Sequence, residues 1–236
     1  MACDGEALYV SDYEKGRVQK LRLSDGALVA SGAPGRVRLQ SVRASLTTRG
    51  GVCAWRTVGN YGQGKRGDER LNCPHGMAFV EGKLYVADCF NHRVVVYDEA
   101  LRFQFAFARE GKAPGELRYP RGVAYLGAGE LVVASQGNHR LDVFGLEGAF
   151  IRSIGGVKGD EPGQFKGPTE VALAHGRLYV CEKEGKRVQS LTPDGAALEV
   201  LPSPSDADLF GLCADAHRVY AADSQHHKLH VLAVRG

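Results

Sequence analysis

Nowhere in the 236 residues do 18 apolar residues run together, so no membrane-spanning helix is expected. The start, Met1-Ala2-Cys3-Asp4, leads straight into a strand-like segment without the charged-then-apolar pattern of a secretory leader. A cytoplasmic or nuclear location is the corresponding expectation. The six cysteines (Cys3, Cys53, Cys73, Cys89, Cys181 and Cys213) include no C-x-x-C pair and no framework spacing. That argues against a disulfide scaffold or a cysteine metal site and for reduced, half-buried thiols. Catalytic signatures are missing too: there is no nucleophile elbow, no phosphate loop and no H-E-x-x-H. Helical periodicity is equally absent, since few segments approach ten residues and none repeats its apolar positions at helical spacing. A net charge of +3 is too small to name a partner. It is unevenly placed, however. Between residues 31 and 73 stand Arg36, Arg38, Arg43, Arg49, Arg56, Lys65, Arg66 and Arg70 against only Asp68 and Glu69, a local excess of +6.

What is present is a repeat. Leu84-Tyr85-Val86-Ala87-Asp88 returns as Leu131-Val132-Val133-Ala134-Ser135, as Leu178-Tyr179-Val180-Cys181-Glu182 and as Val219-Tyr220-Ala221-Ala222-Asp223, at intervals of 47, 47 and 41 residues. Leu8-Tyr9-Val10-Ser11-Asp12 is a further relative, 76 residues before Leu84. A period of this length marks one supersecondary unit repeated along the chain. In the copy spanning residues 74–107, Gly76–Val80 is a short apolar run, Glu81-Gly82-Lys83 a turn, and Leu84–Ala87 a second strand. The polar turn Asp88-Cys89-Phe90-Asn91-His92 leads to a third strand, Arg93–Tyr97, and Arg102–Phe107 alternates as an outer fourth. Four short antiparallel strands per unit predict an all-β propeller, because a single blade cannot cover both its faces and radial stacking covers them. Glycines at Gly76, Gly122 and Gly211 place the first strand of each unit at a crowded axis.

The motif Pro74-x-Gly76-Met77-Ala78, followed by Leu84–Asp88 and then Asn91-His92-Arg93-Val94, resembles the NHL repeat. So does Pro120 through Leu141 with Asn138-His139-Arg140, and Gly159-Asp160-Glu161-Pro162-Gly163-Gln164-Phe165 is similar to the family's linker between blades. The resemblance covers residues 59–234 well and residues 3–30 in part. The fourth unit departs from it, with Gly185-Lys186-Arg187 for Asn-His-Arg and Glu170 at the inner-strand glycine; the fifth has His226-His227-Lys228 and no obvious outer strand. The expected architecture is a single domain over 1–236 with about five four-stranded units, the first and last incomplete. It divides into a partial blade at 1–30, a basic insertion or degenerate blade at 31–58, and well-formed repeats at 59–234. Six blades, the family's commoner number, and a truncated ring stay open as alternatives.

In such a meander the turn after the second strand and the entry to the next inner strand share one face. His75, Arg121, Thr169, Glu170 and Phe210 are therefore expected near the channel mouth, together with the turns bearing Asn91, His92, Arg93, Asn138, His139 and Arg140. Loops converging on a rigid face commonly carry function. Residues repeated in every unit read first as braces: Arg17, Arg93, Arg140 and Arg187 can pair back to Asp12, Asp88, Ser135 and Glu182. The mouth residues differ from unit to unit and are the better binding candidates, Arg121 above all. The expected function is a non-enzymatic scaffold binding a protein partner, with RNA or another polyanion as the alternative ligand and no cofactor or metal. Base-stacking aromatics are sparse on the loops, with Tyr13, Tyr61 and Phe90 the candidates. The resemblance also implies an enzyme alternative, since amidating-lyase and lactonase-like propellers hold a metal in the channel. Pro74-His75-Gly76 matches the lyase's zinc position once, but Arg121, Thr169 and Phe210 stand where further ligands would be needed.

Overall fold

The second, third and fourth units open with hairpins whose two central residues both take positive φ. These are Glu81 (49°) and Gly82 (73°), Ala128 (50°) and Gly129 (77°), and His175 (53°) and Gly176 (67°). Two successive left-handed residues make the turn whose twist matches that of the strands it joins, and glycine at the second place makes it inexpensive. The structure, a computed structural model, describes residues 2–3, 7–12, 17–22, 55–58, 70–203, 207–214 and 218–233. These form five antiparallel sheets in which sequential strands are neighbours. The first comprises β1 (Ala2–Cys3), β2 (Ala7–Asp12), β3 (Arg17–Arg22) and β4 (Trp55–Val58). The second comprises β5 (Pro74–Val80), β6 (Lys83–Asp88), β7 (Arg93–Asp98) and β8 (Phe103–Phe107). In the third are β9 (Pro120–Gly127), β10 (Glu130–Ser135), β11 (Arg140–Gly145) and β12 (Phe150–Gly155). The fourth holds β13 (Pro168–Ala174), β14 (Arg177–Glu182), β15 (Arg187–Leu191) and β16 (Ala197–Pro202). The last holds β17 (Leu209–Ala214), β18 (Arg218–Asp223) and β19 (Lys228–Ala233) and no fourth strand among the described residues.

This is the all-β propeller the repeat predicts. The first sheet has an inner strand of only two residues, too short to carry a pattern. Its outer strand, Trp55–Val58, pairs with β3 from inside the stretch read as an insertion or degenerate blade. Residues 31–54, most of that basic stretch, and residues 59–69 lie outside the described residues, as do Tyr13 and Tyr61.

Second strands β6, β10 and β14 are apolar between their first and last residues because both of their faces are covered. Leu84 and Val86 of β6 pack with Val18, Met77 and Tyr97, whereas Tyr85 and Ala87 pack on the other side with Phe107, Leu131, Val133 and Phe144. The same alternation sends Val132 and Ala134 of β10 against Val171, Leu178 and Val180, and Tyr179 and Cys181 of β14 against Leu209, Val219 and Ala221. Full burial of such a side chain contributes roughly 1.5–3 kcal/mol, and β6, β10 and β14 each belong to two cores at once.

Inner strands β5, β9, β13 and β17 lie side by side in that order. A Cβ at Gly76 would stand 2.5 Å from the Arg121 carbonyl oxygen and 2.7 Å from the Gly122 Cα. One at Gly122 would stand 2.7 Å from the Val171 nitrogen and 2.8 Å from the Glu170 Cα. These two glycines allow backbone-to-backbone approach, as expected. Gly211 differs: among the described residues the nearest atom to its would-be Cβ is the Ala222 Cβ of its own sheet at 3.4 Å, an ordinary contact.

Gly122→Val should lower unfolding stability by about 1–3 kcal/mol or more, the usual range for overpacking, because backbone rather than a movable side chain blocks the added atoms. Gly211→Ala should change it little. Urea unfolding of the two variants beside the unmodified protein checks this, and equal midpoints for Gly122→Val and the parent would contradict the packing described.

Candidate functional site

In the last four units the residue ending the second strand is buried and accepts a backbone N–H from the linker that enters the same unit. Asp88 Oδ1 accepts from Asn72 at 2.6 Å, Ser135 Oγ from Arg118 at 3.0 Å, Glu182 Oε2 from Lys166 at 2.5 Å and Asp223 Oδ1 from Asp208 at 3.1 Å. An arginine opening the third strand completes the brace. Arg93 Nε donates to Asp88 at 2.9 Å and its Nη2 to the Arg70 carbonyl at 2.8 Å. Arg187 Nε donates to Glu182 at 2.7 Å, while its guanidinium also meets the carbonyls of Asp160, Gly159 and Gln164. The third sheet departs from the expected pairing. Ser135 carries no charge, and Arg140 pairs instead with Asp142, two residues along its own strand, at 2.9 Å to both carboxylate oxygens. Its Nη atoms still reach the linker carbonyls of Lys112, Ala113 and Glu116. In the last sheet Lys228 replaces the arginine, and Asp223 is met by His226 Nδ1 at 2.8 Å and His230 Nε2 at 3.2 Å. Burial pushes the Asp223 carboxyl up, but hydrogen bonds from His226, the Asp208 N–H and His230 outweigh it and hold the group well below the usual carboxylate range.

The other turn residues also serve the framework. Asn91 donates to Asp88 at 2.8 Å, and Asn138 to the Gly111 and Glu116 carbonyls at 2.9 and 3.2 Å. His92 and His139 sit in left-handed conformations at the ends of single 3-10 turns. Their Nδ1 atoms accept the N–H of Tyr119 at 3.0 Å and of Gly167 at 3.1 Å, from the linkers entering the next unit. Desolvation lowers both imidazole pKa values, which keeps Nδ1 an acceptor.

The varied positions behave differently. Arg121 donates from Nε to Gln136 Oε1 at 2.5 Å, its Nη1 lies 2.8 Å from His75 Nε2, and its guanidinium carbon lies 5.2 Å from the centre of the Phe210 ring. Lys183 Nζ lies 4.5 Å from the same ring and 3.5 Å from Asp208 Oδ2. His75 Nε2 is in turn 3.4 Å from Cys73 Sγ. Three of the five mouth residues, from three different sheets, thus meet around one guanidinium. Thr169 does not join them. It is buried, and its hydroxyl is directed to the carbonyls of Leu209 at 3.0 Å and Cys181 at 3.3 Å, so it ties β13 to β17. Glu170 folds back against β9, its Oε1 accepting the Val171 N–H at 3.3 Å in the space left by the missing side chain of Gly122.

Gln136 and Lys183 were not among the expected site residues, although the repeat marks them. Both directly follow the last residue of a second strand, a place held by Cys89, Gln136, Lys183 and Ser224 in the four successive units. That position is as variable as the one held by His75, Arg121, Thr169 and Phe210.

The NHL-repeat family profile matches residues 71–97. Over 129 residues the chain is 30% identical to Protein brain tumor of Drosophila melanogaster, covering 53% of this chain and 12% of that protein. Over 76 residues it is 36% identical to RING finger protein nhl-1 of Caenorhabditis elegans, covering 32% of this chain and 8% of the relative. Residues 71–97 are an NHL repeat within this propeller. Among solved structures, a chain of the nidogen/laminin complex superposes with a TM-score of 0.66 at 14% identity, over 98% of this chain and 74% of that one. Virginiamycin B lyase from Staphylococcus aureus superposes at 0.58 with 9% identity, over 100% of this chain and 69% of the lyase. At such identities these two likenesses bear on the fold alone. The NHL propeller spans only a small fraction of the two curated relatives it matches.

Among the described residues of the NHL propeller, no three His, Cys, Asp or Glu side chains stand together in a way that would hold a metal ion. Nor is any helix there long and apolar enough to cross a membrane.

Two outcomes are expected. Arg187→Met should cost about 3–5 kcal/mol in chemical unfolding, because it leaves the buried Glu182 carboxylate without its cation. The second concerns Glu170, whose pKa burial pushes up to about 7 against the opposing Val171 N–H and Arg121 charge. A raised carboxyl pKa means that the folded state binds the extra proton, so Glu170 lowers stability as pH climbs from the unfolded value near 4.5 towards 7. Glu170→Gln should therefore be the more stable protein at pH 8, by on the order of 2–3 kcal/mol, and the difference should close towards pH 4. Paired denaturant titrations across that range would read it out, and a gap independent of pH would contradict it.

Proposed function

We propose that this NHL propeller is a non-enzymatic scaffold that grips an acidic segment of a protein partner at the mouth of its inner strands. The supporting observation is the setting of Arg121. Its Nε and Nη1 are occupied by Gln136 and His75, its face lies on Phe210, and Nη2 has no hydrogen-bond partner among the described residues. A guanidinium held in this way has already lost most of its side-chain freedom, so a carboxylate binding there pays little further ordering cost. Lys183, on the same ring, adds a second positive charge. An arginine over an aromatic ring at an opening is a common anchor in protein interfaces.

A second reading, RNA or another polyanion, draws on one feature. Phe90, 48% exposed, and Tyr119, 37% exposed, stand edge to face with ring centres 6.0 Å apart at the same end of the propeller. Exposed rings beside cations are a platform for unstacked bases.

Binding of an acidic peptide library and of single-stranded RNAs, measured at low and physiological salt, separates the two. For a peptide partner, Arg121→Glu should weaken binding at least about tenfold, the scale of a charge-assisted hydrogen bond at ~1.5–3 kcal/mol, while Phe90→Ala leaves it intact. Affinity should also fall as salt rises, since exposed charges are screened over about 8–10 Å. Binding that is insensitive to both salt and Arg121→Glu would move the partner surface away from the mouth. Loss with Phe90→Ala, and only for RNA, would favour the second reading.

A further inference from the structure

Two thiols beside the mouth have no part in the scaffold described above. Pro74 pairs with Asp88 in the β5–β6 ladder, and one step beyond that pair Cys73 and Cys89 face each other, with the Cys89 N–H donating to the Cys73 carbonyl at 3.3 Å. That contact holds the two residues side by side where the ladder ends, with Cys73 at φ 59° and Cys89 opening the 3-10 turn. The two side chains are close enough to influence one another's ionisation. Their surroundings are unequal. Cys73 Sγ has His75 Nε2 at 3.4 Å, and behind it the Arg121 guanidinium at 2.8 Å from the same nitrogen. Cys89 is fully buried and adjoins the Asp88 carboxylate. Negative charge is thus favoured on Cys73 and disfavoured on Cys89.

We propose that Cys73 and Cys89 are a hydroperoxide-oxidised thiol pair, Cys73 being the attacking thiolate and Cys89 the thiol that closes a reversible disulfide. In the first step the Cys73 sulfur attacks the terminal peroxide oxygen, and the O–O bond breaks. The departing hydroxide or alkoxide takes a proton from solvent, leaving a sulfenic acid on Cys73. In the second step the Cys89 sulfur attacks the sulfenic sulfur and expels hydroxide, which leaves as water with the Cys89 proton. Each cysteine gives up one electron, and the hydroperoxide is reduced by two.

The thiol acidities agree with this geometry. Cys73 is held below the ordinary thiol range first by the hydrogen bond with Cys89, then, against desolvation, by the His75 hydrogen bond and the charges of His75 and Arg121. Cys89 is pushed up by the Cys73 hydrogen bond, by burial and by the negative charges of Cys73 and Asp88, with only Arg121 opposing. The remaining described thiols lack this setting: Cys181 is buried and pushed up by desolvation, and Cys213 is exposed. The pair acts whether or not Arg121 grips a partner.

The test uses the full chain, reduced and then exposed to hydrogen peroxide, with peptide mapping by mass spectrometry. The expected product is a Cys73–Cys89 bridge, two hydrogens lighter and restored by dithiothreitol. In Cys89→Ser the bridge is replaced by a dimedone-trappable sulfenic acid on Cys73. The rate of Cys73 oxidation in the unsubstituted protein should change by less than about threefold between pH 6 and pH 8. That of a simple cysteine peptide should rise about 80-fold, following its thiolate fraction for a pKa near 8.5. A bridge to any other cysteine, oxidation of Cys73 only after unfolding, or a Cys73 rate that climbs like the peptide's would each overturn the proposal. The mapping and pH series on the unsubstituted protein decide this even if a variant fails to fold.

Discussion

A polar side chain buried at the end of a strand is costly unless its hydrogen-bonding capacity is met. In this propeller that requirement orders the whole repeat. Asp88, Ser135, Glu182 and Asp223 lie at the end of their second strands with 1% exposure or less, and each is satisfied by the N–H of a linker residue some 15–17 positions earlier. The linker is thereby held against its own blade, which in turn sets where the following inner strand starts. Histidines 92 and 139 extend the arrangement by accepting N–H groups from the linker of the next blade. Neighbouring blades are thus tied through backbone donors as well as through their shared apolar faces. The side-chain donor of the brace is interchangeable within limits. An arginine pairing with Asp88 or Glu182, one pairing with Asp142, and two histidines at Asp223 all meet the same need.

The mouth is built on the consequence of that regularity. Once the linker is fixed, the residue before β5, β9 and β13 takes the left-handed region, at Cys73 (φ 59°), Tyr119 (50°) and Gly167 (65°). The side chain two places later then varies without cost to the brace. His75, Arg121 and Phe210 meet because Thr169, in the blade between the last two, is short and turned to the carbonyls of Leu209 and Cys181. Cation, ring and imidazole come from three blades, so no single repeat contains the site.

Much of the fold was legible along the chain. The four-strand unit, its hairpin turns and the close approach at Gly76 and Gly122 follow from local pattern. The two-residue strand Ala2–Cys3 was not legible, because so short a segment carries no period. The outer strand Trp55–Val58 was missed because a long intervening stretch separates it from its partner β3. Gly211 looked like its counterparts, but among the described residues no backbone of another blade crowds its Cα, and that depends on which blade stands beside it. At the site, Arg121 stood out as a cation in a varied position. Gln136 and Lys183 occupied an equally variable position, but their relation to Arg121 and Phe210 runs between blades.

By itself the sequence determined the repeat, the strand order within each unit and the residues that brace it, because those depend on neighbours within about 47 residues and on alternation every second position. Tertiary structure alone decided which varied side chains meet. It turned Glu170 back against Gly122, withdrew Thr169 into the backbone, set Arg121 over Phe210 and left Cys73 facing Cys89. Those outcomes depend on the distance between inner strands and on the space each neighbour leaves, quantities that exist only once the blades are packed around a common axis.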